Sequence, residues 1–135
     1  MKEVLRIQIK LDATYEVKSE RGTALMILFH GDVDCENFHG KVLPGGVDTQ
    51  VEYTGEKRLL SARYILEGVD REGCPCRIFI ENEGRIPAEG DPLLTKPRII
   101  TDSNALKGLE SADLQGQVCS EERGGIVIKI YSKGE

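Results

Sequence analysis

The chain has 135 residues, a formal charge of -5 and a pI near 5.2, the usual size of one domain that buries roughly two thirds of the surface its unfolded chain exposes. The acidic balance argues against nucleic-acid partners and anionic membrane surfaces, because phosphate binding needs a basic face that releases counterions. No apolar run approaches the length of a membrane span.

The amino terminus, Met1-Lys2-Glu3-Val4-Leu5-Arg6, alternates charged and apolar residues and lacks the apolar core of a signal peptide. A cytoplasmic location is expected, with Cys35, Cys74, Cys76 and Cys119 kept as thiols. Period-two alternation then dominates the chain. Val4 to Leu11 places Leu5, Ile7, Ile9 and Leu11 on one face with Arg6, Gln8 and Lys10 opposite, the pattern of a half-buried antiparallel strand. Ala24 to His30 is apolar on both faces and is expected as a central strand buried on each side. Phe38 to Leu43, Thr49 to Tyr53 and Leu59 to Glu67 follow, separated by glycine-containing turn signals. Cys76 to Asn82 and Gln115 to Ser120 read the same way, and Ile126 to Tyr131 closes the series behind an Arg123-Gly124-Gly125 hairpin turn.

Two segments break the pattern. Gly84 to Pro97 carries Pro87, Gly90, Pro92 and Pro97 and is expected as one long irregular loop, of the kind that forms lids and binding loops. Ser103 to Glu110 has a helical period that Gly108 limits to a short turn. Some eight to ten strands without long amphipathic helices point to a single all-β domain over residues 1–135, an antiparallel β-barrel whose closure removes exposed edges and leaves a mouth where polar groups converge.

Phe38-His39-Gly40-Lys41-Val42-Leu43-Pro44-Gly45-Gly46-Val47-Asp48 is the most informative stretch. The double glycine after Pro44 lets the backbone reverse and delivers Asp48 to the start of the next strand, either as a turn cap or as a functional acid. In Leu60 to Glu67, Ala62 and Tyr64 share one face, and Arg63 shares the other with Ser61, Ile65 and Glu67. If the second face looks inward, Arg63 is a buried cation that needs a carboxylate or an anionic ligand; if outward, it is a solvated strand charge. Glu81, Asn82 and Glu83 reach a strand end beside the irregular loop, where binding sites often occur. Cys74-Pro75-Cys76 lacks a second closely spaced pair, so no metal is expected, and no phosphate loop, dinucleotide fingerprint or nucleophile elbow calls for a cofactor.

Phe29-His30-Gly31, the Phe38 to Asp48 stretch, Ala62-Arg63-Tyr64 and Asn82-Glu83-Gly84, in this order, resemble the motifs of domain-of-unknown-function family 3237, small and mainly bacterial proteins. The resemblance implies an antiparallel barrel with a solvent-reaching cavity and no established activity. It marks Gly40, Gly45, Gly46, Asp48, Arg63, Tyr64, Asn82 and Gly84 as motif positions, with Thr49 where family members often carry Trp. The expected function is a small-molecule-binding barrel whose pocket is formed by Asp48, Arg63, Tyr64 and Asn82, with Arg63 rather than Tyr64 entering the cavity and a small acidic or carbonyl ligand as partner. The alternatives are a noncatalytic structural or homo-oligomerising barrel, and a small acid/base enzyme acting on a carbonyl or carboxylate compound.

Overall fold

The computed structural model describes residues 1–121 and 124–134. Among them nine antiparallel strands run β1 Lys2–Ser19, β2 Gly22–Cys35, β3 Phe38–Val42, β4 Val47–Tyr53, β5 Leu59–Asp70, β6 Pro75–Arg85, β7 Leu93–Thr101, β8 Leu114–Ser120 and β9 Ile126–Ser132. The sheet closes on itself, because β1 pairs with β9 on one side and with β2 on the other. Between β2 and β5 two short strands share one position: β3 pairs with Asp32–Cys35 and Leu66–Asp70, and β4 pairs with Gly22–Leu28 and Leu59–Arg63. The ring therefore has eight strand positions, the number whose interior side chains just fill or which holds one small ligand.

The break between β3 and β4 is the Leu43-Pro44-Gly45-Gly46 turn. Gly45 adopts φ 106°, where a side chain is strained. Gly46 passes so close to Phe29 that a Cβ would sit 3.1 Å from its ring, and its carbonyl accepts the Phe29 N–H at 3.1 Å. The turn thus ends one inward-facing strand and restarts another with Asp48 opposite Ile27 and Ala62.

One half of the barrel is solid. Leu5, Ile7, Phe38, Leu66, Ile78, Ile80 and Ile130 are all completely buried there, each worth roughly 1.5–3 kcal/mol relative to exposure. Residues 102–113 close that end, with Leu106 buried and a 3-10 turn at Lys107–Glu110. Asp70 latches this segment: Oδ2 accepts the Ser103 hydroxyl at 2.7 Å, and Oδ1 accepts the N–H groups of Glu72 at 2.9 Å and Cys74 at 3.1 Å. Ser103 Oγ in turn accepts the Leu106 N–H at 3.2 Å.

Three expectations are corrected. The irregular segment is confined to residues 86–92, since β6 extends to Arg85 and β7 starts at Leu93. Pro97 is accommodated because β8 pairs with β7 only over Leu93–Thr95, so no ladder donor is missed beyond it. The Ala24 to His30 segment is not buried on both faces: on the outer face of β2 Met26 and His30 are exposed and Ala24 and Leu28 only half-buried. The glycine turn before β9 is present at Gly124, φ 81°, and Gly125, φ 95°, while Arg123 lies outside the described residues.

Gly45→Ala is expected to lower unfolding free energy by about 1–3 kcal/mol in urea titrations, because it forces a side chain into a positive-φ position. The Ser103 hydroxyl, followed by the Cys74 and Glu72 N–H groups and Arg71, holds the Asp70 carboxyl below its ordinary range against the opposing effect of burial. Its stabilisation is therefore fully present above the unfolded-state pKa and is lost as pH falls through the lower folded one. Asp70→Asn is expected to lower the melting temperature at pH 7 and to flatten its fall below pH 4.

Candidate functional site

The other half of the barrel is hollow. A cavity of about 160 Å³ lies between inward residues of β1, β2, β4, β5, β6, β7, β8 and β9, bordered by Ile86 from the loop after β6. Most of its wall is aliphatic, with Ile9, Leu11, Ile27, Leu60, Val118, Ile126 and Ile128 beside Phe29. Small residues leave the space open. Ala62 separates Asp48 from Asn82 in the cross-strand register, and Thr95 sits between Gly84 and Gly116 on the neighbouring strands. A Cβ on Gly116 would collide with Thr95 Oγ1 and come within 3.4 Å of Asn82 Oδ1.

Four polar side chains enter this apolar wall: Asp48, Gln50, Asn82 and Thr95. Asp48 Oδ2 accepts the Gln50 amide at 2.9 Å. Gln50 Oε1 lies 3.5 Å from Arg58 Nη1, and Arg58 Nε pairs with Glu52 at 3.1 Å, so a polar chain runs from the cavity to the surface. The remaining inward oxygens are unmatched. Asp48 Oδ1, Asn82 Oδ1 and Thr95 Oγ1 are buried with no protein hydrogen-bond partner, although Asn82 is only 3% and Thr95 9% exposed. Such groups ordinarily have partners, because leaving one unmatched costs the desolvation of the group. Burial raises the Asp48 carboxyl above its ordinary pKa, and the Gln50 hydrogen bond offsets part of that rise.

Arg63 does not join them. It pairs across strands with Val47 and Glu81, on the face opposite Asp48, Ala62 and Asn82. Its side chain is 61% exposed and forms an ion pair with Glu81 at 3.0 Å, which Arg98 approaches at 3.7 Å from β7. The expectation that Arg63 enters the cavity is corrected, and neither Arg63 nor Tyr64 lines it. Tyr64 points inward, buried, with its ring edge-on to Phe29 at a centroid distance of 5.3 Å. It lies deeper than the cavity wall, and its hydroxyl also lacks a partner; burial pushes its pKa well above the ordinary phenol value. Of the four expected site residues, then, Asp48 and Asn82 meet at the cavity, Tyr64 sits beneath it and Arg63 lies outside.

A family model described as "Protein of unknown function (DUF3237)" matches residues 1–93. The chain belongs to this family. A UPF0311 protein of Clostridium acetobutylicum is 43% identical over 60 residues, 44% of this chain and 35% of that protein, so the matched stretch spans about a third of the relative's length. A crystal structure of a protein of unknown function from the same organism superposes with a TM-score of 0.78 at 28% identity, over 97% of this chain and 94% of that one. A β-barrel-like protein of Acinetobacter baumannii gives 0.75 at 18%, over 97% and 93%. An enzyme from Penicillium herquei gives 0.70 at 14%, over 96% and 92%. The last two likenesses establish the fold alone.

Within the DUF3237 match, the motif residues divide by task. Gly45 and Gly46 shape the turn, Gly40 lets β3 and β5 approach opposite Gly68, and Asp48 and Asn82 supply polar groups to the cavity. Thr95 and Gly116 fall beyond residue 93 and were not singled out in the sequence. Thr95 lies inside the segment whose prolines argued for a loop, so its inward direction became visible only once β7 was in place. Among the described residues no three side chains converge as metal ligands, and no helix is long and apolar enough to cross a membrane.

The native state holds the Asp48 proton more tightly than the unfolded chain, so stability falls as pH rises from the ordinary carboxylate pKa through the raised native one. Asp48→Asn is expected to remove that fall and to exceed the parent in unfolding free energy at pH 7, measured in urea at pH 4 and pH 7. Arg63→Ala is expected to change stability by less than about 1 kcal/mol, as befits a solvent-exposed ion pair.

Proposed function

We propose that this barrel binds a small molecule in the cavity bordered by Asp48, Asn82 and Thr95. The observation that carries the reading is the set of three inward oxygens with no protein partner, in a wall otherwise built of aliphatic side chains. A few polar groups fixed in an apolar concavity are how ligand sites combine affinity with orientation. The volume, about 160 Å³, suits a ligand of about one six-membered ring. In this reading Asp48, Gln50, Asn82 and Thr95 contact or orient the ligand, and Tyr64 supports the floor through Phe29. We place the protein in the cytoplasm, where its four unpaired cysteines would stay reduced.

Ligand that binds only the folded chain raises its melting temperature, so thermal shift against a library of one-ring compounds tests the reading. Ala62→Leu, which enlarges the side chain between Asp48 and Asn82, is expected to abolish the shift while the variant remains folded by circular dichroism. Undiminished binding to that variant would remove the cavity from consideration.

One observation favours a second reading, a barrel that self-associates. On the outer wall Tyr15 pairs with Met26, and Val17, Ala24, Val51 and Leu59 form a row across four strands; Tyr15, Val17, Met26 and Leu59 are all exposed. Sedimentation of the parent and of Val17→Glu would decide it, a dimer that the substitution dissociates being the expected result. Acid–base chemistry on a bound carbonyl compound is a third reading, favoured by the raised pKa of the Asp48 carboxyl in the cavity wall.

A further inference from the structure

The ligand expected from the sequence was acidic or carbonyl-bearing, and that expectation rested on a guanidinium inside the barrel. The arrangement of charges around the cavity leads elsewhere. Among the described residues Asp48 is the only charged one in its wall. Among the described residues Arg58 is linked to it through Gln50 and is paired with Glu52; Arg63 and Arg98 face out and share Glu81. The rim beside Ile86 adds Glu52 and Glu56 against Lys57 and Arg58, so these residues give it no net positive charge.

We infer that the cavity selects a one-ring ligand whose polar head donates hydrogen bonds, an alcohol, phenol or amine, and rejects carboxylates. This inference rests on the proposed binding role and adds the chemistry of the head group. Three buried oxygens of the wall residues have no protein partner: Asp48 Oδ1, a carboxylate acceptor when ionised; Asn82 Oδ1, an acceptor; and Thr95 Oγ1, which both donates and accepts. An ammonium can donate to both acceptors, whereas a hydroxyl can donate to one of them and accept from Thr95 Oγ1; either leaves the ring against Phe29 and the aliphatic wall. A carboxylate would bring a second negative charge beside Asp48 in a poorly solvated site, with no cation among the described wall residues to offset the desolvation of either. Glycine at 116 lets Thr95 Oγ1 take its position beside Asn82 Oδ1, since a Cβ there would overlap the first and touch the second.

The test uses four compounds with one skeleton, toluene, benzyl alcohol, benzylamine and benzoate, titrated into the full chain at pH 7 by calorimetry and by amide chemical-shift mapping. Benzyl alcohol and benzylamine are expected to bind at least tenfold more tightly than benzoate, with shifts centred on Asn82, Thr95 and Gly116. In Asp48→Asn the preference for benzylamine over benzyl alcohol is expected to vanish and benzoate to gain at least threefold. Benzoate binding as tightly as benzyl alcohol would overturn the inference and leave the cavity as a ligand site. An unchanged amine preference in Asp48→Asn would overturn it equally, by removing the carboxylate as the selecting group. Failure of all four, toluene included, would sink the binding role itself and this inference with it.

Discussion

Closure of the sheet is the constraint from which the rest follows. Once β1 meets both β2 and β9, each inward side chain must share one lumen, and the volume of those side chains decides whether the lumen is solid or hollow. At one end, large aliphatic residues and Phe38 leave no exposed surface on their side chains. At the other, Ala62, Gly84 and Gly116 occupy inward positions on three strands, and the wall recedes. The cavity is thus a consequence of residue size at particular register positions, and the Asp70 latch holds the covering segment over the solid end.

The same closure places an acid where it costs the fold something. A carboxylate surrounded by Ile27, Leu60 and Phe29 loses hydration without gaining a cation, and one amide hydrogen bond returns only part of the loss. The shift of its pKa is the signature of that imbalance. Asn82 and Thr95 repeat the pattern with neutral oxygens. Several unmatched groups in one small volume, in a chain whose buried acid Asp70 has three partners, mark the hollow end as the place where the fold carries its uncompensated polar groups.

Arg63 shows how narrowly such a site depends on parity. A strand residue shifted by one position faces the other side of the wall. Leu60 to Glu67 displays two faces, one of them fully apolar apart from the Tyr64 hydroxyl, and the apolar face goes inward because burying Leu60, Tyr64 and Leu66 outweighs any gain from an interior ion pair. The guanidinium then finds Glu81 on the outer wall, where water already screens both charges.

By itself the sequence determined the all-β class, the positions of most strands, the Pro-Gly-Gly reversal and the acid that follows it, because alternation and turn chemistry are local properties legible over a few residues. It also marked Asp48 and Asn82. Only the tertiary structure decided that β3 and β4 share one strand position, that Pro97 is tolerated where the β7–β8 ladder has already ended, that Thr95 joins the cavity and that Arg63 leaves it. Those outcomes depend on which strand lies beside which and on the side chains that meet across the lumen, and pairings between residues tens of positions apart leave no periodic trace in a single chain.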